Sequence, residues 1–153
     1  MFENIEQIYN YIGHSMINAL PTDWDKASFY ALILNVDSAM QSNQEYWFNG
    51  NRYEFDVNKV NGVAKRTKCA KAFYSLNHIM QKNKNDVPWN KARFEITFEG
   101  DFAIDFKYDE DFAWYKALDI DSQEYDELDI DMINHIKSWD GLPENAPRYW
   151  RKS

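Results

Sequence analysis

Residues 92–99, Ala92-Arg93-Phe94-Glu95-Ile96-Thr97-Phe98-Glu99, are followed by Gly100 and then by residues 101–108, Asp101-Phe102-Ala103-Ile104-Asp105-Phe106-Lys107-Tyr108. In the first run Ala92, Phe94, Ile96 and Phe98 alternate with Arg93, Glu95, Thr97 and Glu99. In the second, Phe102, Ile104, Phe106 and Tyr108 alternate with Asp101, Ala103, Asp105 and Lys107. Successive side chains of a strand point to opposite faces, so a period of two predicts strands with one apolar and one wet face. Two such runs joined through Glu99-Gly100-Asp101 predict an antiparallel hairpin.

Working outward, Ile5, Ile8, Tyr9, Ile12 and Met16 recur at helical spacing and predict an amphipathic first helix, ended at Leu20-Pro21 because the residue before proline avoids the helical region. Residues 27–34, with Trp24 near their start, form a short apolar run that predicts a buried strand. Residues 37–44 are small and polar and predict a loop. Residues 45–48 predict a second strand, Asn49-Gly50-Asn51 a hairpin turn, and residues 52–57 a third strand pairing back. Cys69, Phe73, Leu76 and Met80 mark one face of a helix over 64–82 whose exposed face is basic (Lys65, Arg66, Lys68, Lys71). Residues 82–85 then predict a loop. Leu128, Met132, Ile133 and Ile136 predict a last helix over 125–138, stopped by Gly141 and Pro143. The order α-β-β-β-α-β-β-α implies an α+β fold: an antiparallel sheet of about five strands with helices mainly on one face. No repeat or linker interrupts it, so a single domain over residues 1–153 is expected.

The totals bound the function. A chain of 153 residues buries enough surface to fold without metal or disulfide, and the single cysteine, Cys69, excludes an intramolecular disulfide. No stretch reaches the roughly 20 apolar residues of a membrane span. Met1-Phe2-Glu3-Asn4 does not open a secretory signal, which predicts a cytoplasmic location. A net charge of −8 disfavours direct nucleic-acid binding.

That charge is concentrated. Residues 101–131 hold twelve acids against Lys107 and Lys116, a net −10, which leaves +2 for the rest of the chain. A charge run is most often a solvated face. Here the acids are interleaved with large rings, which suits a docking surface for a basic partner. The expected partner-binding residues are Asp105, Asp109, Glu110, Asp111, Asp119, Asp121, Glu124 and Asp126 for charge, with Trp114 and Tyr115 as anchors.

Catalytic patterns are weak. His14, His78 and His135 lie on different predicted helices with no metal-pair spacing, and Cys69 falls on an apolar stripe. The five glycines are isolated, so no phosphate loop is formed. Residues 119–124 open like a calcium loop, but Glu124 stands where glycine makes the turn and Ile130 where a bidentate glutamate belongs. No enzyme activity, metal or cofactor is expected.

Pro88-Trp89-Asn90, the strand Ala92–Glu99 and the stretch from Phe102 to Asp111 resemble the core of the YezG-like family, and the similarity runs from about residue 5 to 115, including Leu20-Pro21, Trp24 and Tyr46-Trp47-Phe48-Asn49. Members of that family are immunity proteins, or antitoxins, of bacterial polymorphic toxin systems. The resemblance implies a cytosolic protein that neutralises a cognate secreted toxin, mostly a nuclease, in bacterial competition. It supplies no catalytic residues and no interface motif. Two other functions fit the residues less well: an adaptor or chaperone for a secreted effector, and a metal-dependent hydrolase built on the 109–131 acids.

Overall fold

The computed structural model describes residues 2–81, 86 and 88–148. In chain order the elements are α1 (Ile5–Ala19), β1 (Lys26–Asn35), β2 (Ala39–Phe48), β3 (Asn51–Phe55), β4 (Lys59–Val60), β5 (Val63–Ala64), α2 (Cys69–Met80), β6 (Lys91–Thr97), β7 (Phe102–Lys107), α3 (Glu110–Lys116), α4 (Gln123–Asp126) and α5 (Ile130–Lys137). The fold is α+β, as the alternating runs require. The chain divides into two compact units, residues 1–107 and 108–153.

The first unit holds a five-stranded sheet in the order β3-β2-β1-β6-β7, and each neighbouring pair is antiparallel. The hairpin of β6 and β7 pairs Phe94 with Ile104 and Ile96 with Phe102 on one face, and Arg93 with the opposite charge of Asp105 on the other. On β1, Ala27, Phe29, Ala31 and Ile33 are buried in one cluster with Ile8, Ile12 and Met16 of α1 and Ala72, Phe73 and Leu76 of α2. Phe29 and Phe73 lie with ring centroids 4.9 Å apart. Burying a side chain of this size contributes roughly 1.5–3 kcal/mol. The α1 helix starts where Asn4 caps it, accepting from the Gln7 amide, and stops at Leu20 before proline.

Several boundaries differ from the sequence reading. Residues 39–44 form a strand and not a loop. Asp37 (φ 71°) and Ser38 make a tight turn, and β2 then pairs with β1 back from Asn35. Polar side chains hid this strand. Gln44 lies in the buried face, satisfied by accepting from the Val57 amide and donating to Ser42.

The helix expected over 64–82 begins only at Cys69. The preceding residues form a two-stranded ribbon, β4 and β5, turned at Asn61 (φ 52°) and Gly62 (φ 77°). Its return is held at Asn58, whose side chain accepts from the Thr67 amide and hydroxyl and whose carbonyl accepts from the Lys65 amide. Lys65, Arg66 and Lys68 therefore precede the helix, and Lys71 alone of the four lies on it. The expected loop at 82–85 lies outside the described residues.

Phe98 belongs to the turn after β6, not to the strand. In the second unit, residues 110–116 add the helix α3, and the expected helix over 125–138 is two shorter helices, α4 and α5. Asp129 accepts from the Met132 amide and restarts the helix there. The α3 and α5 helices pack together.

Candidate functional site

The chain places little nucleophilic or metal-binding chemistry in view. Cys69 is buried, and burial pushes its thiol up from the ordinary range, so it is a small core residue. His78 pairs with Asp37 at 2.9 Å, and His135 Nδ1 lies 2.8 Å from the Asp131 carbonyl. Among the described residues no group of three His, Cys, Asp or Glu side chains could hold a metal ion. Among the same residues no helix is long and apolar enough to cross a membrane.

The wet face of the sheet carries a chain of ion pairs. Lys26 reaches Glu95 at 3.3 Å, Arg93 reaches Glu95 at 3.1 Å and Asp105 at 2.8 Å, and Arg52 pairs with Glu45 and Glu54. Tyr30 sits among these carboxylates. Desolvation and its hydrogen bond to Glu45 push its phenol up to about 12, so it stays neutral and donates. Asp105, the only expected partner-binding residue in the first unit, is exposed on β7, with its charge opposed by Arg93.

The other nine lie in the second unit, where they fall into three groups. Asp109 and Asp111 serve the fold. Asp109 Oδ1 accepts from the amides of Asp111 and Phe112 and so caps α3, where negative charge also complements the helix dipole. Asp111 is 6 % exposed and held by Arg148, whose Nε and Nη2 donate to both carboxylate oxygens at 3.0–3.1 Å. The same guanidinium donates to the carbonyls of Leu142, Glu144 and Ala146, tying the C-terminal segment to α3. This pairing raises the Arg148 pKa further above its ordinary value.

Trp114 and Tyr115 are half-buried. Tyr115 stacks on Tyr125 at 6.3 Å between centroids, and Lys137 Nζ lies 5.6 Å from the same ring. The third group, Glu110, Asp119, Asp121, Glu124 and Asp126, is exposed. Asp119 shapes a turn, its Oδ1 accepting from the Asp121 amide and its carbonyl from the Ser122 hydroxyl. Glu127, Asp129 and Asp131 are exposed as well, so residues 119–131 present seven carboxylates and no base.

Two exposed aliphatic residues outside the expected set stand among them. Ile120 is 66 % and Ile130 76 % exposed. In the sequence each isoleucine is flanked on both sides by aspartate. A carboxylate field with isolated apolar side chains can attract a basic protein surface and then exclude water at a few points.

A family model described as Immunity protein YezG-like matches residues 5–149. No curated protein matches the chain.

Proposed function

From the premise that the chain belongs to the YezG-like immunity protein family, we propose that it binds and neutralises a cognate secreted nuclease toxin in the cytoplasm. The family match spans both compact units, which supports treating the whole chain as one immunity module. It acts by occupation of the toxin surface; no catalytic step and no cofactor is assigned to it.

The observation that carries the nuclease reading is the exposed run of seven carboxylates at 119–131 with no compensating base. A nuclease must hold phosphates and so presents a basic site. A field of opposite sign steers encounter, with association up to ~10⁸–10⁹ M⁻¹s⁻¹ at low salt, and competes with nucleic acid for that site. On the second unit Glu110, Asp119, Asp121, Glu124 and Asp126 meet the toxin directly; on the first unit Asp105, beside Arg93, is a separate and weaker contributor. Asp109 and Asp111 act by holding α3, and Trp114 and Tyr115 by their partly exposed edges.

The test is a growth assay with the C-terminal domain of a large protein from an adjacent gene, taken as the candidate toxin. Expression of that domain alone is expected to arrest growth, and co-expression of this chain to restore it. Killing without rescue would overturn the immunity reading for that toxin. In the variant Asp119→Asn/Asp121→Asn/Glu124→Gln/Asp126→Asn the association rate at low salt is expected to fall roughly tenfold and its salt dependence to flatten. Rescue with an unchanged association rate would keep immunity and remove the acidic run from the interface.

A further inference from the structure

At one end of the five-stranded sheet, the segment before β1, the end of β2 and the turn after β6 enclose an open cleft of about 240 Å³. Three rings line it, Trp24, Phe48 and Phe98, together with three carboxylates, Asp23, Asp25 and Glu99. None of these carboxylates belongs to the acidic run at 101–131.

Backbone pairing holds the walls. The Asp25 amide donates to the Trp47 carbonyl at 2.7 Å, and the Phe98 amide to the Asp25 carbonyl at 3.0 Å. Asp25 Oδ2 accepts from the Asn49 amide. Phe98 stands edge-on to Trp24 with centroids 5.4 Å apart and is 61 % exposed, although it continues an apolar alternation whose other members pack inward. Asp23 and Glu99 have no hydrogen-bond or ion-pair partner among the described residues.

The lining selects the occupant. The carboxylates do not converge as metal ligands. The volume is below the roughly 300–1,000 Å³ of pockets for drug-sized ligands, and it suits one side chain. Ring faces attract cations, and a planar guanidinium both stacks on rings and pairs with carboxylates through two parallel bonds, which an ammonium cannot do. The fold already places a cation on an indole next to this cleft, with Lys26 Nζ 4.6 Å from the Trp47 ring.

We propose that this cleft receives an arginine side chain of the protein partner, held by Asp23 and Glu99 against the exposed Phe98 ring, with the 7 % exposed Trp24 edge-on to that ring and reporting on it. The proposal rests on the reading that the chain binds a basic protein. It adds a second contact region, in the first unit, that the charge run does not include.

The experiment is an NMR titration of the full chain with acetyl-arginine amide and, separately, with its neutral isostere acetyl-citrulline amide. The Trp24 indole N–H and the Phe98 ring protons are expected to shift saturably with the arginine compound and far less with citrulline. Asp23→Asn/Glu99→Gln, at two exposed positions and with an unchanged melting temperature, is expected to bind the arginine probe roughly tenfold more weakly. Trp24 and Phe98 signals that do not move, an equal response to citrulline, or a double variant that binds as tightly as the parent would each overturn the proposal. The probes are not the toxin, so a failure here leaves growth rescue intact, and a failure of rescue leaves the Trp24 response intact.

Discussion

Residues 1–107 and residues 108–153 are built by different physics. The first unit rests on a sheet whose strands pair across long sequence separations and on a ring-rich core shared with α1 and α2. The second has, among its described residues, three helices of seven, four and eight residues. Helices this short are marginal on propensity alone, below the ~12–15 residues at which isolated helices begin to hold in water. Each is started by a side-chain cap, from Asp109, Ser122 and Asp129. Among the described residues its buried side chains are few, chiefly Phe112, Ile136, Leu142 and Asp111, the last paired with Arg148. A segment that commits so few side chains to a core leaves the rest for a surface, and here residues 119–131 of that surface carry seven exposed carboxylates and no base. The contrast separates a part that supplies stability from a part that supplies charge.

The largest expected effect is in the sheet core. Phe29→Ala removes a fully buried ring from the middle strand and should cost ~3–5 kcal/mol in urea unfolding of the full chain. A loss no larger than that of a surface substitution would mean that the sheet is not the main store of stability. Next comes the lock of the second unit. Arg148→Ala removes the guanidinium that holds the buried Asp111 carboxylate, at a cost of ~3 kcal/mol. Hydrogen exchange should then rise across α3 and α5 while β1 and β6 keep their protection. Equal loosening of both units would erase the contrast. The smallest effect is at Tyr115→Ala, which removes the stack on Tyr125 and the contact with Lys137 for ~1 kcal/mol. A larger loss there would make the ring a structural support and not an anchor for a partner.

The legible parts of the chain were those with local signals. The β6–β7 hairpin and the first helix follow from period-two and period-3.6 patterns. The Asn49-Gly50 turn follows from two residues that accept positive φ, observed at 51° and 78°. The same chemistry at Asn61-Gly62 announced the β4–β5 ribbon, and the apolar stripe of the neighbouring helix obscured it. The start of α3 was also written locally, as an aspartate cap with acids in the first turn. The longer run of like charge around these acids masks that cap in the sequence. The β2 strand had no such signal before Glu45: its outer half is polar, and backbone pairing with β1 makes it a strand.

By itself, then, the sequence determined the α+β class, the hairpin, the first helix, the turn at residues 49 and 50, and the concentration of negative charge. Periodicity, turn chemistry and composition are properties of neighbours along the chain, and they need no partner to be read. Tertiary structure alone decided the sheet order β3-β2-β1-β6-β7, the full length of β2, and which carboxylates remain available to another molecule. Asp111 and Asp121 look alike in the sequence, yet Asp111 is buried against an arginine 37 residues away, while Asp121 is exposed. Asp23 and Glu99 are far apart in the chain and line one cleft only because β1 and β6 pair. Burial and pairing are set by groups distant in sequence, and those distances close only when the chain has folded.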